Sequence, residues 1–230
     1  MYVAKGVSCL KKDPFASLQE RGQLGRADGD GIVDADHAAG PEDGVERQGV
    51  NGGAGGVGSA VVQIAKALGA RVVTTAGSAE KLKLCRDFGA ELAINYKTED
   101  VDARIKEFAP QGVNVWWETL REPAFDRAVG LLAQRGRMVI MAGREARPPF
   151  PVGPFYLKGC ALHGFAMFNA TTHEQRAAAD DINRWLAAGQ LRPHIDRVLP
   201  LDQAAAAHRL QEENTIGKAG TLSGKIVLKP

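Results

Sequence analysis

Apolar positions downstream of residue 50 follow two alternating spacings. Between residues 57 and 68 they recur every three to four residues, which predicts a helix, and residues 71–75 then form a β-rich run. Strands that alternate with helices predict an α/β fold, a doubly wound parallel sheet with helices on both faces. The same alternation continues, with further strands expected at 92–96, 113–117, 138–141, 160–168, 195–199 and 225–228.

The first 49 residues differ in composition from the rest of the chain. From Lys11 to Gly49 only six residues are large and apolar, whereas nine are aspartate or glutamate. Such a stretch cannot bury enough apolar surface to offset the entropy lost on ordering. We therefore expect an atypical, irregular N-terminal segment and a core that lies downstream.

Charge and composition argue against several kinds of partner. The chain has 29 Lys and Arg against 27 Asp and Glu, without a dense basic run, so nucleic acid is not expected to bind. No window of about 20 apolar residues is present to span a membrane, and residues 1–10 do not resemble a secretory signal, so we expect a cytoplasmic protein. The cysteines Cys9, Cys85 and Cys160 are too widely spaced for a zinc site and are interpreted as free thiols.

The strongest chemical signal is the segment Val50–Gly58, which reads VNGGAGGVG and directly precedes the first predicted helix. Glycines permit a tight turn and close backbone approach, and a helix N-terminus offers free N–H groups to a pyrophosphate. Alone, the segment also fits a flexible linker of small residues. The helix, strand and repeated units after it favour a dinucleotide-binding loop.

The end of the second predicted strand indicates which dinucleotide binds. An acidic residue there selects a free ribose 2′-hydroxyl, but Gly77 and Ser78 occupy that place. Ser78 and Lys81 would accommodate a 2′-phosphate, which favours NADPH, although Glu80 argues against it and Lys81 also fits a solvated helix surface. Tyr96, after the third strand, either flanks the same phosphate or packs on the sheet edge.

Several motifs together resemble a known family. The chain from about Val50 to its C-terminus is similar to zinc-independent quinone oxidoreductases of the medium-chain dehydrogenase/reductase superfamily. The motifs that carry the resemblance are residues 51–58 (NGGAGGVG), 75–81 (TAGSAEK), 88–90 (FGA), 136–139 (GRMV) and 224–228 (GKIVL).

The resemblance implies an enzyme of the Rossmann fold that transfers a hydride from NADPH to a small-molecule quinone or activated alkene. It places the pyrophosphate at Gly55–Val57, the 2′-phosphate at Ser78, Lys81 and Tyr96, and the nicotinamide near Phe165–Met167. No catalytic residue and no metal ligand is identified. The implied cofactor-binding residues are Gly52, Ala54, Gly55, Gly56, Val57, Gly58, Gly77, Ser78, Lys81, Tyr96, Thr119, Gly143, Arg144, Phe165 and Met167.

The N-terminal part departs from this family. Family members have a barrel-like catalytic domain and an apolar first strand before the glycine loop, whereas residues 44–50 contain only two large apolar side chains, Val45 and Val50. No strand is recognisable there, so we expect a marginally stable sheet. The expected domains are 1–49 (atypical segment), 50–190 (Rossmann domain) and 191–230 (segment that returns to the catalytic domain).

Three functions therefore stay open. The chain is an NADPH-dependent reductase, whole or truncated and impaired, or an NADP(H)-binding remnant without turnover, or a non-catalytic structural or RNA-associated relative.

The predicted strand 160–168 indicates how two copies of the chain would associate. It ends the sheet and contains no proline and no Asp, Glu, Lys or Arg that would discourage pairing. Family relatives dimerise through this element, so we expect a homodimer. The alternative is that the helix expected at 172–188, or the N-terminal segment, covers this edge.

Overall fold

The computed structural model describes residues 43–230, so most of the predicted irregular segment lies outside the described residues. The strands are β1 Arg47–Val50, β2 Arg71–Ala76, β3 Leu92–Asn95, β4 Val113–Glu118, β5 Leu132–Ile140, β6 Ala161–Gly164, β7 Ile195–Pro200 and β8 Lys225–Lys229. The α-helices are α1 Gly58–Ala67, α2 Ala79–Asp87, α3 Val101–Phe108, α4 Phe125–Leu131, α5 Val152–Leu157, α6 Thr172–Ala187 and α7 Ala204–Thr215.

Strands β1 to β6 form one parallel sheet in the order β3-β2-β1-β4-β5-β6. Side chains of α1, α2 and α6 pack on one face, and those of α3, α4 and α5 pack on the other. The predicted doubly wound α/β fold is confirmed. Because the strand order reverses between β1 and β4, the carboxyl ends of these strands form the crevice in which such sheets bind ligands.

The first strand, which the sequence left unrecognised, is present as β1 at the centre of the sheet. Its pattern is unusual because Gln48 is buried and Gly49 has no side chain. The adjacent strand β4 compensates for the apolar side chains that β1 lacks. The Trp116 ring occupies the space above Gly49, and Trp117 Nε1 donates a hydrogen bond of 3.1 Å to Gln48 Oε1. Two buried tryptophans thus supply the apolar volume that β1 lacks.

The start of β1 crosses the predicted boundary at residue 49. Arg47 N donates to Asn114 Oδ1 on β4 at 2.8 Å, and the side chain of Glu46 forms an ion pair with Arg137 of β5. Residues 46–49 are therefore held by the same sheet as the glycine loop that follows them.

Strand β6 is shorter than the predicted strand 160–168. It covers Ala161–Gly164 and is followed by a 3₁₀ turn, Met167–Asn169. Its neighbour β5 ends at Ile140, whose carbonyl accepts the Phe165 N–H at 2.8 Å. The prediction was too long because a parallel strand continues only while its neighbour offers hydrogen-bond partners.

The last two strands form a separate parallel pair, β7 with β8, connected through α7. The residues just before β8 reach the glycine loop, where Gly224 N donates to Ala54 O at 2.9 Å and Gly224 bridges Gly55. Within residues 43–230, no helix has the length and apolar character that crossing a membrane requires.

Candidate functional site

A cleft of about 690 Å³ lies at the carboxyl ends of the central strands. The glycine loop after β1 forms its floor, the end of β2 forms one side, and residues 119–122 after β4 form another. The remaining wall comes from the last residues of α7 and from residues between α7 and β8. The cleft therefore occupies the crevice that the sheet topology indicates as a ligand site.

The geometry of the glycine loop explains its composition. Gly52 has a φ of +66°, which side chains disfavour, and a Cβ on Gly58 would collide with the backbone of Gly52. Thr74 Oγ1 donates to Val50 O at 2.7 Å, and Gly52 N donates to Thr75 Oγ1 at 3.3 Å. These contacts hold the loop against β2 and direct it into the N-terminus of α1, where backbone N–H groups are available to a ligand.

Gly77, Lys81 and Tyr96 meet at the β2 side of the cleft. A Cβ on Gly77 would lie 2.7 Å from Cζ of Tyr96, so glycine is required for the tyrosine to take this position. Tyr96 therefore lies beside the cleft and also packs against the end of β2. Ser78 caps α2, because its Oγ accepts the Lys81 N–H at 3.4 Å.

The Lys81 ammonium donates a hydrogen bond to a backbone carbonyl of this chain. Its Nζ donates to Gly220 O, in the wall between α7 and β8, at 2.6 Å. Burial lowers the pKa of Lys81, the nearby cation Lys97 lowers it further, and the carboxylate of Asp196 opposes both. Lys81, which the sequence predicts to bind the 2′-phosphate, thus lines the cleft with part of the hydration of its ammonium removed.

Sequence reasoning missed a buried polar cluster on the opposite side of the cleft. Glu118, at the end of β4, is only 1% exposed. Its carboxylate accepts hydrogen bonds from Asn51 Nδ2 at 3.2 Å, Trp116 Nε1 at 3.3 Å and Leu120 N at 3.0 Å. Thr119 Oγ1 donates to Asn51 O at 3.0 Å. This network ties the glycine loop to β4, and an acidic residue that ends a buried strand was its only sequence signal.

The structure brings together about half of the predicted cofactor residues. Those that line the cleft are Gly52, Ala54, Gly55, Gly77, Lys81, Tyr96 and Thr119. Gly56 and Val57 line a neighbouring cavity of about 450 Å³, where a Cβ on Gly56 would lie 2.9 Å from Lys225 Nζ. Among the described residues, the lining of the main cleft does not include Gly58, Ser78, Gly143, Arg144, Phe165 or Met167. Their roles stay predictions.

The two cysteines in the described part of the chain are free thiols. Cys85 lies on the buried side of α2, where burial raises the pKa of its thiol to about 12, and burial also raises the pKa of Cys160. Residues 43–230 contain no group of three or more His, Cys, Asp or Glu side chains that could hold a metal ion. Cys9 lies outside the described residues.

Comparison with known proteins agrees with the fold. The family described as "Zinc-binding dehydrogenase" matches residues 56–184. The quinone oxidoreductase of Sus scrofa is 32% identical over 182 residues, which cover 78% of this chain and 53% of that protein. Prostaglandin reductase 1 of Bos taurus is 31% identical and is covered over 54% of its length.

Solved structures give the same result. The quinone oxidoreductase of Thermus thermophilus, solved also as a complex with NADPH, has a TM-score of 0.70 and 30% identity, with 81% of this chain and 58% of that chain covered. The Escherichia coli quinone oxidoreductase, complexed with NADPH, has a TM-score of 0.69 and 27% identity, with 80% and 57% covered. The chain spans about half the length of the curated relatives it matches. It belongs to the medium-chain dehydrogenase/reductase superfamily and is homologous to its quinone oxidoreductases.

Proposed function

We propose that the cleft binds NADPH and that the chain takes part in hydride transfer to a quinone or an activated alkene. The observation that carries this proposal is the meeting of the glycine loop, Gly77 and Lys81 in one cleft at the strand-order reversal. The relatives that were solved as complexes with NADPH support the same cofactor.

The residues present fit this cofactor. A Cβ on Gly53 would collide with Thr74, and one on Gly58 would collide with the backbone of Gly52, so glycine is needed for the tight turn that leads into α1. Lys81 supplies a cation for the 2′-phosphate, and Gly77 and Ser78 supply no carboxylate that would repel it. Thr119 and Asn51, fixed by Glu118, hold the opposite wall in place. When bound, NADPH would supply the hydride, and this chain would supply its orientation.

Cofactor binding without turnover is a second candidate function. The contacts described for the cleft concern the cofactor alone, because among residues 43–230 no side chain is assigned to the substrate. Turnover requires in addition that the substrate be positioned and that water be excluded from the reacting groups. A non-catalytic structural or RNA-associated role is a third alternative, and the cytoplasmic location stays a prediction.

Two assays separate these functions. NADPH oxidation in the presence of a quinone reports the reductase activity, and NADPH titration of the same preparation reports the cofactor site. Binding with quinone-dependent oxidation supports the enzyme, and binding alone supports the second candidate. Absence of NADPH binding by a folded sample would contradict both.

We also propose that the chain forms a homodimer through β6. Among residues 43–230, this strand is the last in the sheet and pairs with β5 on one side only. Leu162 on β6 is 41% exposed, and the apolar side chains of Tyr156 and Leu157 on the preceding helix α5 are exposed as well. Pairing of two copies about a two-fold axis would satisfy both strand edges and cover Leu162.

A further inference from the structure

The segment between α7 and β8 forms a strap over the cofactor cleft. This strap, residues 216–224, is fixed at both ends. At its start, Ile216 N donates to Glu212 O at 2.7 Å. At its end, Leu222 is buried and its N–H donates to Asn214 Oδ1 at 2.9 Å, while Ser223 N donates to Asp196 Oδ1 at 2.8 Å. The strap is therefore a defined loop whose ends are anchored to the body of the domain.

The middle of the strap is attached differently. Residues 218–221 are exposed, and the Gly220 carbonyl accepts the Lys81 ammonium at 2.6 Å. Lys218 and Gly220 both have φ in the left-handed region, at 55° and 67°, so this short stretch has little regular structure of its own. The bond to Lys81 thus pins the middle of the strap to α2, across the cleft that both elements line.

We propose that the strap and the 2′-phosphate of NADPH compete for Lys81, so that NADPH, but not NADH, releases the strap. This inference rests on the proposed cofactor. A bond from an ammonium to a phosphate dianion is stronger than one to a neutral carbonyl. An ammonium has three N–H donors and can bond more than one neutral acceptor, as Lys158 Nζ does with three backbone carbonyls. A phosphate dianion on the Lys81 ammonium differs from these acceptors, because its charge repels the carbonyl oxygen of Gly220 beside it. The strap therefore acts as a cover that opens for the phosphorylated cofactor and lowers the apparent affinity for it.

Hydrogen exchange of the full-length chain tests the release. The amide of Ala219, in the middle of the strap, is hydrogen-bonded to Glu213 O in the closed strap and reports its release, and the amide of Leu222, in the anchored end, is the internal reference. Saturation with NADPH should speed the exchange of the Ala219 amide on the order of tenfold, the change expected when one hydrogen bond to a charged group is lost, whereas saturating NADH should leave it unchanged. The Leu222 amide should exchange at the same rate throughout. Lys81→Met without cofactor should give the same increase. Lys83→Met is the matched control, because Lys83 pairs with Asp87 on the same helix.

Two variants with the same effect on the strap should have opposite effects on NADPH affinity. Lys81→Met removes the shared cation and should weaken NADPH binding on the order of tenfold. Gly220→Val leaves the cation in place. No atom of residues 43–230 lies within 4 Å of a Cβ there, but a β-branched residue disfavours the left-handed backbone and would move the carbonyl. It should tighten NADPH binding on the order of tenfold without changing NADH binding. Gly220→Ala, a milder change, should shift the affinity in the same direction.

The outcomes are separable from those of the cofactor proposal. Bound NADPH with unchanged exchange in the strap would overturn the competition and leave the cofactor site intact. Weaker NADPH binding by a folded Gly220 variant would also overturn it. If neither cofactor binds, both proposals fail together.

Discussion

Replacing Gly49 with alanine tests the packing that allows β1 to occupy the centre of the sheet. The new Cβ would lie 2.6 Å from Cζ3 of Trp116 and still closer to Cε3. Trp116 is itself only 1% exposed and belongs to a cluster of buried apolar side chains. Overpacking of this kind costs about 1 to 3 kcal/mol, so we expect the free energy of unfolding to fall by about 2 kcal/mol.

Urea unfolding followed by far-UV circular dichroism measures this loss. The matched control is Gly130→Ala in α4, where nothing lies within 4 Å of the added Cβ. Alanine in a helix is favoured over glycine, so the control should gain about 0.5 to 1 kcal/mol.

A second substitution shows whether the tryptophan ring is the cause. Trp116→Leu removes the ring atoms that the added methyl group would meet, so Gly49→Ala should cost at least about 1 kcal/mol less in that background. Equal costs in both backgrounds, or a neutral Gly49→Ala, would refute the proposed compensation between β1 and β4.

Three further predictions concern the buried carboxylate, the thiols and the sheet edge. Glu118→Ala leaves the amide of Asn51 and the indole of Trp116 without their acceptor, and urea unfolding should show a loss of about 3 kcal/mol; an unchanged stability would contradict the network. Because burial raises the pKa of Cys85 to about 12, this thiol should stay protonated at pH 8, and mass spectrometry should detect its alkylation by iodoacetamide in urea but not in the native protein. Sedimentation at tens of micromolar should find a dimer for the unmodified chain and a monomer for Leu162→Lys; if the unmodified chain is a monomer, the proposed β6 interface is wrong.

The sequence predicted the order of the elements because each helix and strand has a strong local signature. Helical spacing in α1 and the glycines after α1 and α2 are local features, and Gly69 and Gly89 have the positive φ typical of helix ends. The central strand lacked such a signature. Gln48 and Gly49 indicate a polar, flexible segment until the tryptophans of β4 lie beside them, and that pairing joins residues 67 positions apart.

The residues of the site that lie near strand ends could also be predicted from the sequence. The glycine loop, Gly77, Lys81 and Tyr96 lie close to strand ends in the sequence, and parallel strands bring such ends to one edge. The strap and Glu118 were missed because their roles depend on long-range contacts. Lys81 meets Gly220 across 139 residues, and the Asn51–Glu118 contact spans 67. Gly220 and Glu118 lie outside the sequence motifs.

Titration calorimetry of the full-length chain with NADPH and with NADH tests the central claim, that this cleft is a site for the phosphorylated dinucleotide. NADPH should bind at least several-fold more tightly, because Lys81 can pair with the 2′-phosphate and no acidic residue stands at Gly77 or Ser78. Lys81→Ala should remove most of this preference. Equal affinity of the unmodified, folded chain for both cofactors would contradict the assignment.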